Sequence, residues 1–88
     1  MDKEIKNKGV AEMNDIYTIL KDLRPEFDFE DSEDFVEDGY LDSFDIISFV
    51  STLEEKYSIK IAGLDVVPEN FCTVDAIIHL IKKSGGDI

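Results

Sequence analysis

Asp38-Gly39-Tyr40-Leu41-Asp42-Ser43-Phe44-Asp45 runs directly into an apolar helical stretch, and its reading decides the fold. It sets one serine, flanked by acids, where a long loop turns into a helix. A helix start exposes unpaired backbone N–H groups and carries partial positive charge. Such a start accommodates a phosphate ester on its first residues, because its donors already point outward. Asp42 has the chemistry of an N-cap, and Asp45 stands three residues later, where the acid of a capping box belongs. Ser43 is then the first helical residue, with its side chain facing solvent.

Working outward, Ile46, Phe49, Val50, Leu53 and Tyr57 recur at helical spacing, which predicts a helix from Ser43 to about Tyr57. Phe44 and Ile47 fall off that stripe, toward solvent or a partner. Upstream, Val10, Met13, Ile16, Tyr17, Leu20 and Leu23 mark a first helix, which Pro25 ends. Residues 1–9 are polar and are expected to fray or form an early helical turn. Between the two helices, 26–41 is a long acidic loop, whose Phe27, Phe29, Phe35, Tyr40 and Leu41 are expected to pin it onto them.

Downstream, Ile59 and Ile61 read as a short extended connector, and Pro68-Glu69-Asn70 as a helical turn. Thr73 caps a last helix with Asp75 in its first turn. Val74, Ile77, Ile78 and Ile81 are expected to line its inner face. Lys82 and Lys83 suit its negative end, and Gly85-Gly86 release the chain. The sum is an all-α fold, a small four-helix bundle of three main helices plus one short helix with a long first loop. Its parts are a flexible segment 1–9, a domain 10–84 and a tail 85–88.

The chain has 88 residues, enough for one small domain, and 43% of them are hydrophobic, which suffices for a modest core. Its 21 acidic residues against 9 basic ones give a formal net charge of −12, the wrong sign for nucleic acid or an anionic membrane surface. Partners with basic patches are steered in instead, more weakly as salt rises. Cys72 is the single cysteine, which excludes an intrachain disulfide and fits a reducing cytosol. No stretch reaches the roughly 18 apolar residues of a membrane span. Met1 to Lys8 lacks the apolar centre of a secretory signal. The expected location is therefore cytoplasmic.

From Gly39 to Phe49 the chain resembles the acyl carrier proteins, also called thiolation or peptidyl carrier domains. Asp42-Ser43-Phe44 resembles the Asp-Ser-Leu attachment motif of that family, and Asp38-Gly39-Tyr40-Leu41 the acid, glycine and apolar run before it. The helix after the motif and the Thr73-Val74-Asp75-Ala76-Ile77 helix start also match in kind and order. The resemblance extends over about Val10 to Lys83.

The resemblance implies a bundle of acyl-carrier type that is not itself an enzyme. Ser43 would carry 4′-phosphopantetheine through a phosphodiester, transferred from coenzyme A by a phosphopantetheinyl transferase with magnesium. The arm's thiol would hold an acyl or aminoacyl group as a thioester for loading and transferring enzymes. Asp42 would help the transferase orient its metal and substrate, and Phe71 matches a position beside the arm. The second helix would be the docking face, with Phe44, Asp45, Ile47, Ser48, Ser51, Glu54 and Glu55 as its partner-binding residues. The carrier would act as a monomer, with no resident metal.

Phe44 replaces the usual leucine or methionine, Ser48 stands where many fatty-acid-type carriers have an acid, and Ile46 and Ile47 make the early helix apolar. These departures favour a dedicated partner set, such as a D-alanyl or other aminoacyl carrier, or a specialised pathway. The contrasting reading is a small acidic helical interaction module with no prosthetic group, motivated by the charge and by off-stripe Phe44 and Ile47. Two other readings fail on the residues. Cys72 and His79 lack a third group to orient them as nucleophile and base. An EF-hand opened at Asp34 would put Val36 in a ligand position and Asp45 in place of the closing glutamate.

Overall fold

Three α-helices carry the architecture: α1 (Asp2–Leu23), α2 (Ser43–Tyr57) and α3 (Val74–Lys83). The computed structural model describes the backbone from Asp2 to Ile88 and the side chains from Glu12 onward. Single 3₁₀ turns at Phe29–Asp31, Gly63–Asp65 and Pro68–Asn70 punctuate the connections, and there is no strand among the described residues. The expected short fourth helix is thus the single turn Pro68–Asn70, with a proline at its start whose fixed φ suits a first helical position. The turn at Gly63–Asp65 was not anticipated.

α1 packs on both α2 and α3. It begins at Asp2, ahead of Val10, where the apolar periodicity starts; the side chain of Val10 lies outside the described residues. Ile16 and Leu20 are fully buried, with Met13, Tyr17, Ile19 and Leu23 packed around them. α2 contributes Ile46, Phe49 and Leu53, with Val50 and Tyr57 half-buried at the edge of the stripe. α3 contributes Val74, Ile77, Leu80 and Ile81. Leu80 is fully inside while Ile78 sits at the margin, so the inner face of α3 is rotated from the one its isoleucines suggest. Each fully buried side chain of this size stabilises the fold by roughly 1.5–3 kcal/mol relative to exposure.

The first loop is ordered because its own side chains hold it. Phe29, Phe35 and Leu41 are buried, and Phe27 stacks flat on Tyr40 with ring centroids 4.4 Å apart. Asp34 Oδ1 accepts from the backbone N–H of Val36 (3.0 Å) and Glu37 (2.9 Å), which closes a turn. Gly39 then takes a φ of 77°, a left-handed conformation that suits glycine. That reversal brings the N–H groups of Tyr40 and Leu41 back to the Phe35 carbonyl at 2.8 and 3.1 Å. The Phe35 N–H in turn donates to the Cys72 carbonyl at 2.8 Å, clipping the loop to the entry of α3.

α3 closes with Gly85 at φ 95°, its N–H bonded to Lys82 O and that of Gly86 to Ile81 O. This is the glycine-terminated ending in which two successive N–H groups cap the last free carbonyls. Ile88, at the tip of the tail, packs back against the core.

Candidate functional site

The start of α2 is held by a reciprocal pair of hydrogen bonds. The Asp45 N–H donates to Asp42 Oδ1 at 2.9 Å, and the Asp42 N–H donates to Asp45 Oδ2 at 3.1 Å. This is the capping box expected from the spacing of the two acids. The Asp42 carboxyl is held below the usual carboxylate range, chiefly by the Asp45 N–H it accepts. Ser43 is the first residue of the helix and is exposed to solvent. The box ties down the residues on both sides of the serine and leaves its hydroxyl outside.

Beside Ser43 runs a groove of ≈ 190 Å³, lined also by Ile46 and Ile47 of α2 and by Val66 and Pro68 of the connection to α3. Its walls are chiefly hydrocarbon. A phosphate ester on Ser43 would sit at a helix start, where partial positive charge favours it. A chain leaving that ester could lie along the apolar groove. The residues present therefore fit a phosphate-linked arm.

The remaining side chains expected to take part are distributed unevenly. Phe44 is 82% exposed and Ile47 61% exposed, and Ser48, Ser51 and Glu55 also face solvent along α2. Asp45, expected on this docking face, is instead turned inward at 8% exposure, where its Oδ2 meets both the Asp42 N–H and the Arg24 guanidinium. Glu54 is half-buried, and its Oε2 accepts from the Ile61 N–H at 2.9 Å, anchoring the connector after α2. Phe71, expected beside an arm, is fully buried against Phe49, with centroids 6.2 Å apart. It is part of the core and presents no surface of its own.

Arg24 was not anticipated from sequence. Its guanidinium Nη1 lies 3.4 Å from Asp45 Oδ2. Nε lies 3.1 Å from Glu26 Oε2, near enough for ion pairing but out of line for a hydrogen bond. The group also covers the face of Phe27, 5.2 Å from its centroid. Position alone gave one signal: a cation directly before Pro25, at the negative end of α1.

Neither alternative chemistry gains support. Cys72 is half-buried ahead of α3, its thiol donating to the Glu69 carbonyl at 3.3 Å, while His79 is exposed on the helix. The acids of the first loop serve as turn caps and as acceptors for Ser32 and the backbone. No cluster of three or more metal-ligating side chains occurs among the described residues.

Comparison with known proteins bears on the family. A curated acyl carrier protein of Chlamydia muridarum (strain MoPn / Nigg) is 34% identical over 73 residues, covering 80% of this chain and 91% of the relative. The chain belongs to the acyl carrier protein family. No protein-family model matches the chain, and no solved structure does. Acyl carrier proteins hold cargo for other enzymes, and this carrier is not an enzyme. Family members generally carry phosphopantetheine and meet transferases and acyl-handling enzymes. No helix among the described residues of this carrier is long and apolar enough to cross a membrane.

Proposed function

We propose that this carrier holds acyl or aminoacyl groups as thioesters on a 4′-phosphopantetheine arm attached to Ser43. The observation that supports this reading best is the exposed serine at the first position of α2, bracketed by the Asp42–Asp45 capping box. A phosphopantetheinyl transferase would join the serine oxygen to the phosphorus of the arm. The serine proton is lost, the pyrophosphate link of coenzyme A breaks, and the nucleotide half leaves. Once bound, the arm supplies a thiol whose thioesters are reactive enough to pass their cargo on. Tethering raises the concentration of that cargo at each partner enzyme.

The chain's own residues do the presenting. Asp42, held as a carboxylate, stands beside the serine where a transferase-bound cation would meet it. Ile46, Ile47, Val66 and Pro68 offer the arm an apolar groove. Phe44, Ile47, Ser48, Ser51 and Glu55 form the outward face of α2 for partner enzymes. That face carries exposed Phe44 and Ile47 and uncharged Ser48 and Ser51, which supports a dedicated partner set, such as aminoacyl carriage of the D-alanyl type, in a carrier whose expected location is the cytoplasm. Apolar docking surfaces fit partners with matching apolar patches, and charge then steers encounter more than it holds the complex.

Incubation with coenzyme A, magnesium and a phosphopantetheinyl transferase tests the attachment by intact mass. The wild-type protein is expected to gain a single arm and Ser43→Ala none, with an unchanged helical spectrum. A gain that survives Ser43→Ala overturns the assignment.

A further inference from the structure

We propose that Arg24 is a positioning residue for the modification of Ser43, holding both flanks of the serine from a helix that carries no part of the attachment motif. The inference rests on the reading of Ser43 as the attachment site.

The geometry is a clamp. On the helix side, Arg24 Nη1 lies 3.4 Å from Asp45 Oδ2, the same oxygen that accepts the Asp42 N–H at 3.1 Å. On the loop side, the guanidinium covers Phe27, whose ring lies flat on Tyr40 at 4.4 Å. Tyr40 precedes Leu41 and Asp42 in the turn that delivers the serine. The Arg24 backbone N–H donates to the Leu20 carbonyl at 2.9 Å, so the stem of the side chain starts from a fixed point at the end of α1. One side chain thus ties α1 to the segment before Ser43 and to the segment after it.

Charge explains why a cation is needed there. The capping box brings two carboxylates to either side of the serine, and the phosphodiester adds a further negative charge at the same helix start. Arg24 offsets the inner carboxylate. That keeps Asp45 bonded to the Asp42 N–H and so holds the exposed Asp42 carboxylate, itself the cap of the helix, in place beside the serine. A planar guanidinium meets a carboxylate and an aromatic face at once, which an ammonium on a flexible stem does poorly.

Without the clamp, the turn loosens while the outward face of α2 is untouched. The expected signature is a fall in kcat of the transferase with KM nearly unchanged. The experiment measures steady-state modification of wild type, Arg24→Gln, Arg24→Lys, Asp45→Asn and the Arg24→Gln/Asp45→Asn double variant, with helicity checked by circular dichroism. Misplacing a reacting group costs rate steeply, so Arg24→Gln is expected to lower kcat about tenfold. Arg24→Lys should fall between it and wild type. If Arg24 acts through Asp45, Arg24→Gln should cost little more in the Asp45→Asn background. Wild-type kcat in folded Arg24→Gln overturns the proposal, and so does a fully additive double variant. Should Arg24→Gln not fold, wild-type kcat in Arg24→Lys overturns it. Failure of the wild-type protein to be modified at all would instead overturn the attachment reading beneath it.

Discussion

α2 and α3 begin in the same way and are put to different uses. Each is capped by a side-chain oxygen that accepts the N–H three residues on, Asp42 from Asp45 at 2.9 Å and Thr73 from Ala76 at 3.1 Å. The next residue in each case is the first of the helix. In α2 that residue is Ser43, exposed; in α3 it is Val74, 4% exposed and packed in the core. A capped helix start is therefore common structural equipment. On the proposed reading it becomes an attachment site only where the first helical side chain faces out and the chain leading in is held from outside the helix. Phe71 enters α3 from inside the core, while Tyr40 enters α2 stacked under Phe27 at the surface.

The strongest way to break the comparison is to give α3 the serine of α2. Val74→Ser removes buried hydrocarbon and buries a hydroxyl, at a cost of about 2–4 kcal/mol. Urea unfolding should show that loss as a lower midpoint with an unchanged slope. In a Ser43→Ala background, the new serine should receive no arm from a transferase that modifies wild type. Modification at position 74 would mean that a capped serine suffices and that exposure does not matter.

How far the sequence predicted this molecule depended on whether the deciding interaction was local. α2 and α3 begin and end where read, because Asp42, Thr73 and the apolar spacing act within a few residues of each boundary. The capping role of Asp45 was legible for the same reason. Its burial was not, because that depends on Arg24, distant in sequence and brought near only by the packing of α1 on α2. The burial of Phe71 was not legible for a related reason. Its place just before α3 is set by sequence order, but its ring packs against Phe49 across the core. Leu80 was missed because the packing of α3 turns its inner face toward Leu80 and leaves Ile78 at the margin, which the isoleucine spacing alone does not specify.

The far ends of the two helices sharpen the comparison with a smaller effect. α3 ends on Gly85 at φ 95°, where left-handed backbone costs nothing extra. α2 ends on Ser58 at φ 54° and ψ 48°, with its N–H bonded to Glu54 O. A Cβ in that conformation is strained by roughly 1–2 kcal/mol, partly offset in glycine by its greater freedom when unfolded. Ser58→Gly should therefore stabilise the protein by about 0.5–1 kcal/mol, read as a higher thermal midpoint. The gain should come without any change in modification at Ser43. A loss of stability would show that the Ser58 side chain contributes more than its backbone costs.

The smallest expected difference separates the two caps by their chemistry. Thr73 does not titrate, whereas the Asp42 carboxyl is held below its ordinary value, first by the Asp45 N–H and further by the Asp45 side chain and Arg24. A carboxyl whose folded value is depressed stabilises the fold fully above its unfolded value, near 3.9, and that contribution disappears as pH falls through the folded value. Neutralising other acids on a chain of net charge −12 relieves repulsion over the same descent, which works in the opposite direction. Comparing Asp42→Ser with wild type isolates the cap, since serine also accepts the N–H three residues on but has no charge to lose. Thermal midpoints recorded from pH 6 down to pH 3 should fall less steeply for Asp42→Ser, with the curves diverging only below about pH 4. Parallel curves would mean that the start of α2, like that of α3, is held by hydrogen-bond geometry alone and not by the charge of its cap.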